Sequence, residues 1–386
     1  MRILVITSST GGGHDMRAQS FKAWANKLTD WEVRVHQALE STHFIYALGV
    51  EIYNWIQRFF PRLHHLYFNY LEIMGIHRQA SQLIGAEKFK KLLLDFKPEV
   101  LVSTHAHLNH GFFEYAVETL GGPAHLRCVT ISTEFFGGYG FSKHWVNPKA
   151  DLFIGGVAET CKAAIKLGMQ PEKIFCGGFL LRPKFFDKAC TLAKKEEFLG
   201  QMDLSPSSFT LLLSTGAVGA NNHIPILRAL RQRDKPLQVI VLCGRDEARL
   251  NRVERWSDRP GKLKVKALGY WEDMPLLLQS VSATVTRPGA GTLSEAILTE
   301  CPLIMNGIGG IMPQEWLNIK YGTKHGLIRV IRKPRDLCKI LDNWERRPSD
   351  YQSIINNLKH QKPNAHPSQI LAKAVGQEIT LSKGCL

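Results

Sequence analysis

His14 follows three glycines, Gly11, Gly12 and Gly13, and these follow an apolar run at residues 3–6. A strand that runs into a glycine turn and then a helix leaves free backbone N–H groups at the positive end of a helix dipole. That is a seat for phosphate or another anion. The same field disfavours an imidazolium, so His14 is expected to be neutral and able to take a proton. It would act as a general base or, on the plainer view, as a helix cap. A second such turn, Arg287-Pro288-Gly289-Ala290-Gly291-Thr292, follows the run at 283–286. Its amides and the Thr292 hydroxyl can hold a diphosphate. Glu295, one turn on, can accept from the vicinal hydroxyls of a ribose, or can simply be an acid placed favourably in a first helical turn. Gln314 and Glu315 follow a further strand-like run at 302–306. They can bind sugar hydroxyls or form an ordinary first turn. Two anion seats in separate halves suggest an enzyme that holds a phosphorylated donor in a cleft between two domains.

Neither turn matches other phosphate motifs well. After Gly11 and Gly13, Met16 stands where a dinucleotide fingerprint needs its third glycine, and the Walker A lysine and hydroxyl are missing. No D-x-D pair occurs, so a metal-bridged nucleotide-sugar site is not expected, and the expected set of metal ligands and cofactors is empty.

Strand-like runs at 3–6, 32–36, 100–103, 127–132 and 152–154, then at 210–214, 238–242, 263–268, 283–286 and 303–305, alternate with helical segments. Short β-branched runs separated by helices predict parallel, doubly wound sheets. The rhythm breaks near 183–208, where the linker is placed. The expected organisation is a Rossmann-like domain over 1–190, a second over 205–360, and a helix in 361–386 returning to the first. Function is expected at the carboxyl ends of the strands.

The chain of 386 residues carries 49 basic against 34 acidic side chains, a formal charge of +15. This fits a solvated basic surface or an anionic partner such as a phosphorylated donor or anionic lipid. Basic runs lie at 252–266 and 329–335. No zinc-finger, heptad or aromatic RNA-stacking pattern occurs, so nucleic acid is not an expected partner. The eight cysteines form no C-x-x-C pair and are expected to be reduced, several of them in the core. No run has the length of a membrane span, and the N-terminus reads as a strand rather than a signal peptide, so a cytoplasmic protein, peripheral on a membrane, is expected.

From 44 to 70, Phe44, Leu48, Ile52, Trp55, Phe59, Leu63, Leu66 and Tyr70 recur in steps of three and four. That spacing predicts a helical face, bent at Pro61 and widened by Tyr46, Tyr53, Phe60, Tyr67 and Phe68, with Arg58, Arg62 and His77 among its flanks. It is either an amphipathic helix packed on its domain or an interfacial element that dips aromatic rings into a bilayer.

These pieces, in this order, resemble the monogalactosyldiacylglycerol synthase and processive diacylglycerol glucosyltransferase branch of glycosyltransferase family 28, and more distantly MurG. The carriers are SSTGGGHDMRA, LVSTHAHLN, GGFLLRPKF, VLCGRDE, LGYWEDM, RPGAGTLSEA, PLIMN and PQEWLN, running from about residue 3 to 335. The resemblance implies a GT-B fold and an inverting, metal-independent transfer from a UDP-sugar, the donor substrate, to a lipid hydroxyl. By position, His14 is the general base and Glu134 replaces the family's Asp. Tyr270, with Gly269 and Met274, would flank the uracil. Gly289, Ala290, Gly291 and Thr292 would meet the diphosphate, Glu295 the ribose, and Gln314 and Glu315 the sugar. Gly13, Gly216, Arg245 and Asn318 complete the implied donor site. Trp55, Phe59 and Phe60 would face an anionic membrane, and His105, His144 and Trp145 the acceptor. The chain departs from the family pattern at Glu134, at the extra residues 135–140, at Pro313 and at Leu317. Rival readings are a GT-B-like UDP-sugar epimerase, a nicotinamide oxidoreductase and a non-enzymatic basic binding protein.

Overall fold

The computed structural model describes every residue except Gly11, Pro61, 75–82, 215–221, 258–260 and 379–386, and omits the side chains of Arg58, Met74 and Ser257. The expectations for Gly216, Pro61, His77, Cys385 and the Arg58 side chain therefore lie outside the described residues.

The chain divides into two units: 1–183 with 312–317 and 363–386, and 184–311 with 318–362. In the first, the strands are β1 (Arg2–Thr7), β2 (Glu32–Gln37), β3 (Val100–Ser103), β4 (Arg127–Ile131), β5 (Leu152–Gly155) and β6 (Ile174–Cys176). Between them run α1 (Gly13–Leu28), α2 (Ala38–Thr42), α3 (Phe44–Phe59), α4 (His64–Met74), α5 (Ala86–Phe96), α6 (Phe112–Thr119) and α7 (Ala158–Lys166). In the second, the strands are β7 (Thr210–Ser214), β8 (Leu237–Leu242), β9 (Leu263–Leu268), β10 (Ala283–Thr286), β11 (Leu303–Asn306) and β12 (Ile328–Ile331). The helices are α8 (Leu192–Gly200), α9 (His223–Leu230), α10 (Glu247–Ser257), α11 (Met274–Ser280), α12 (Ala290–Thr299), α13 (Pro313–Lys324), α14 (Pro334–Arg346) and α15 (Pro348–His360). Helix α16 (Pro367–Val375) belongs to the first unit.

Each unit holds one parallel six-stranded sheet, ordered β2-β1-β3-β4-β5-β6 and β12-β11-β10-β7-β8-β9. In each, the chain winds outward from a central strand and returns to that strand's other side. The switch points fall between β1 and β3 and between β7 and β10, where a doubly wound sheet opens a crevice for ligands. The central strands read as unbroken apolar runs because helices cover both faces: Ile3, Leu4, Val5 and Ile6 are fully buried, as are Leu211, Leu212 and Leu213. Helix α16 seals the first unit through buried Ile370, Leu371 and Ala374. The Arg127 guanidinium donates to its last carbonyls, at 2.9 Å from Ala374 O and 3.4 Å from Lys373 O.

Three expectations need correction. The segment 44–70 is two helices, not one bent helix. Moreover, Tyr46 and Phe68 are buried and Tyr53 and Tyr67 half-buried, so these rings turn inward rather than widen the outer face. Tyr67 donates to Gly49 O (3.3 Å), tying α4 to α3, and Tyr46 accepts from the Ile84 amide (3.0 Å). Strands β6 and β12 were not expected. Both are short, half-exposed edge strands, and the residues of β12 read as the start of a basic run. Finally, the other basic run, at 252–266, is partly neutralised locally: Lys262 pairs with Asp234 (2.5 Å) and Lys266 with Asp203 (2.8 Å). Of the seven described cysteines, all free, Cys128, Cys161, Cys243 and Cys301 are buried and Cys176 is exposed.

Candidate active site

In the first unit, the carboxyl ends of β1 and β3 lie side by side, Ile6 in register with Ser103. That register brings the turn before His14 against the segment after Ser103. The His14 Nδ1 lies 2.8 Å from the Thr104 carbonyl oxygen. A carbonyl only accepts, so Nδ1 carries the proton and Nε2 carries the lone pair. Burial pulls the His14 pKa down to about 4; the Thr104 contact opposes this and the Arg17 charge reinforces it. The ring is therefore neutral at pH 7, chiefly because it is desolvated.

The glycine turn is held by an acid absent from the sequence argument. The Glu40 carboxylate accepts from the Ser9 amide (2.6 Å) and from the hydroxyls of Ser8 (3.0 Å) and Ser9 (2.7 Å). Glu40 lies just past the second strand of a Rossmann-like unit, a place where dinucleotide-binding units carry an acid for a ribose hydroxyl; that position was the available signal.

Around His14 stand other imidazoles. Its ring centroid is 4.5 Å from His105 and 5.8 Å from Trp145, and His107 lies 4.9 Å from His144. The His107 amide donates into His105 Nδ1 (3.3 Å), so Nε2 carries the His105 proton toward the Thr10 hydroxyl at 3.0 Å. Burial and neighbouring imidazoles keep His105 well below its ordinary pKa and hold His107 at about 3. Among the described residues, no group of three or more His, Cys, Asp or Glu side chains is placed to hold a metal ion. Asn109, also not anticipated, fixes this cluster. Its amide donates to the carbonyls of His144 (3.1 Å) and Trp145 (3.3 Å), and its Oδ1 accepts from Thr130 (3.0 Å).

Glu134 is buried, and desolvation lifts its pKa to about 8 against a hydrogen bond from Trp145. It is therefore largely protonated at neutral pH. The extra residues 135–140 lead to Gly140 at φ +96, where a side chain would collide with the Pro313 carbonyl. The opening of α13 is thereby set against the loop after β4. In that opening, Glu315 accepts from the Met312 amide (2.9 Å), and the Gln314 amide donates to the Tyr53 hydroxyl (3.2 Å).

The outer side of α3 and α4 is apolar and open. Phe44, Leu48, Ile52, Trp55, Phe59, Leu66 and Tyr70 are all exposed, as are Phe60 and Leu63 between the helices; Phe44 reaches 71%. Isolated exposed apolar residues are ordinary, but a contiguous row of this kind marks an interaction surface.

In the second unit, Gly289 precedes α12 at the β7/β10 switch point. The amides of Ala290, Gly291 and Thr292 belong to a first helical turn, which offers them no intrahelical acceptor. The Thr292 hydroxyl donates to the Gly289 carbonyl (2.9 Å), so it braces the turn and can only accept from outside. Asn318 donates to Pro288 O (2.8 Å) and Arg287 to Gly310 O (3.0 Å), so both stiffen this turn. Glu295 is buried beneath it, 8% exposed. Elsewhere in the unit, the Arg245 guanidinium lies 4.6 Å above the Tyr270 ring, which is 58% exposed. Gly269 precedes that ring, and Met274 opens α11.

The sequence model described as "Monogalactosyldiacylglycerol (MGDG) synthase" matches residues 14–179, and that of the "Glycosyltransferase family 28 C-terminal domain" matches 213–306. One model thus matches in each unit, the second of them the family 28 C-terminal domain. Its relatives include the chloroplastic monogalactosyldiacylglycerol synthase of Spinacia oleracea, 24% identical over 94% of this chain and 70% of that protein. The processive diacylglycerol beta-glucosyltransferase of Staphylococcus epidermidis is 26% identical over 89% of this chain and 84% of its own. The fold is GT-B. Acinetobacter baumannii MurG superposes with a TM-score of 0.61 at 15% identity, covering 97% of this chain and 99% of that one. The calicheamicin glycosyltransferase CalG4 gives 0.57 at 13%, covering 97% and 98%. The protein is thus a glycosyltransferase. Among the described residues, none of its helices is long and apolar enough to cross a membrane.

Proposed function

We propose that this glycosyltransferase moves a hexose from a UDP-sugar to a hydroxyl of a lipid, diacylglycerol first, while seated peripherally on an anionic membrane surface. The observation that carries the reading is the exposed apolar row on α3 and α4, in the same unit as a histidine kept neutral with Nε2 available. The names of the curated relatives support the acceptor class.

In this reading the acceptor hydroxyl gives its proton to His14 Nε2 and its oxygen attacks the anomeric carbon. The bond from that carbon to the diphosphate oxygen breaks with inversion, and UDP leaves. The first-turn amides of α12 and its dipole stabilise the charge that builds on the leaving group. Tyr270, backed by Arg245 and flanked by Gly269 and Met274, stacks on the uracil. Glu295 takes the ribose, and Gln314 with Glu315 takes the sugar. Glu134, protonated and bonded to Trp145, acts as a hydrogen-bonding neutral group. His105, His144 and Trp145 line the acceptor side.

UDP release by the purified protein tests this directly. UDP-glucose, UDP-galactose or UDP-N-acetylglucosamine would be supplied with and without diacylglycerol-containing vesicles. Vesicle-dependent release with one donor is expected. Equal release without vesicles would refute the lipid acceptor, and tight UDP binding with no release would point to a different acceptor.

A further inference from the structure

The helix whose outer side is apolar also makes polar ties from its inner side. On α3, Trp55 and Ile52 face out, exposed, while Tyr53 turns in, its ring edge-on to His64 at 4.4 Å. The Tyr53 hydroxyl accepts from Gln314 Nε2 at 3.2 Å, a bond between residues 261 apart in sequence. With Nε2 so engaged, Oε1 is the end of the Gln314 carboxamide left for a ligand. That oxygen is buried and has no hydrogen-bond partner among the described residues. A buried carboxamide oxygen without a partner is costly, and a ligand hydroxyl that donates to it relieves that cost.

Two further ties link the inner side of the α3–α4 hairpin to the same region. His65 Nδ1 meets the Tyr139 hydroxyl at 2.9 Å, on the loop whose Gly140 abuts Pro313. Glu72 accepts from the Ser142 hydroxyl and from the Lys143 amide (3.1 Å), just before His144 and Trp145. The hairpin is therefore bonded to the segments that carry Gln314, His144 and Trp145.

We propose that Tyr53 is a positioning residue for donor recognition, acting through the Gln314 carboxamide and so linking the seat of α3 to the grip on the transferred sugar. The inference rests on the reading of Gln314 as a sugar-binding residue. Tyr53 touches no reacting atom in it. Removing the hydroxyl frees the carboxamide to rotate, and the sugar then meets a mixture of N–H and O faces.

The test is a double-mutant cycle on UDP-galactose and UDP-glucose binding, measured by calorimetry, with Tyr53→Phe, Gln314→Ala and the pair together. Tyr53→Phe keeps the ring and its packing. It is expected to weaken UDP-sugar binding about 3- to 10-fold, the range for one neutral hydrogen bond, while leaving UDP alone bound as in the wild type. In the Gln314→Ala background the same change should alter binding less than about 2-fold. Vesicle cosedimentation of Tyr53→Phe should match the wild type. Equal losses in both backgrounds, equal losses for UDP and UDP-sugar, or reduced vesicle binding would overturn the positioning role. Failure of the wild type to bind either UDP-sugar would overturn the underlying functional reading as well, so the two failures are distinguishable.

Discussion

A histidine whose Nδ1 faces a carbonyl has a single lone pair to offer, and in His14 it is at Nε2. Because burial holds its pKa at about 4, the free enzyme keeps this base ready across the physiological range. The acid limb of kcat/KM is expected near pH 4 rather than 6.5, and His14→Ala should lower kcat by about 10²–10⁴-fold; a pH–rate profile checks both. Glu134 has the opposite behaviour. Its folded pKa of about 8 lies above the unfolded value of 4.5, so the native state binds the extra proton between them. Its contribution is full below pH 4.5 and is lost as pH rises toward 8. Glu134→Gln, which mimics the neutral acid, should flatten the fall in thermal stability between pH 5 and 8, an effect on the order of a few kcal/mol. The buried imidazoles of His14 and His107 act in reverse and add stability as pH rises from about 4 to 6.5, so the comparison must be with the wild type at each pH.

At the scale of elements, the α3–α4 hairpin divides its labour between an apolar outer row and polar inner ties. Replacing Trp55, Phe59 and Phe60 by Ser touches only exposed side chains. Stability should therefore change by no more than about 0.5 kcal/mol each, while vesicle affinity falls about tenfold or more, measured by flotation. The stripe itself was readable from its spacing of three and four. What the spacing could not show is which way the off-stripe tyrosines turn, since that depends on Gly49, Ile84 and Gln314, all brought in by tertiary folding. The same limit explains Glu40 and Asn109, whose partners are set by strand register. The central strands were legible because a strand buried on both faces is apolar throughout. Edge strands β6 and β12, three and four residues long and half-exposed, carry no such signal. Thr292 stands in the first turn of α12, and its proton serves the turn's own carbonyl, a local competition that composition does not reveal.

For the molecule as a whole, net charge sets how it meets a surface. The formal +15 is already net of every acid, including those that pair with Arg233, Lys235, Lys262 and Lys266. That excess favours anionic lipid by about 1 kcal/mol per basic residue near the surface. Vesicle binding should therefore rise with the anionic lipid fraction and weaken as salt is raised from about 0.05 to 0.5 M. Binding that is indifferent to salt would assign the attraction to the apolar row alone.

The return of α16 to the first unit has a consequence for how the chain is made. A ribosome delivers residues 1–183 first, then the whole second unit, and only then the helix whose Ile370, Leu371 and Ala374 fill the first unit's core and whose carbonyls Arg127 caps. The earlier-synthesised half must wait, with that apolar seat uncovered, while the later half emerges and folds. A nascent chain stalled before residue 367 should hence carry a finished second unit and an unfinished first one. A premature stop there would damage the unit that holds His14, although the lesion lies some 350 residues downstream of it.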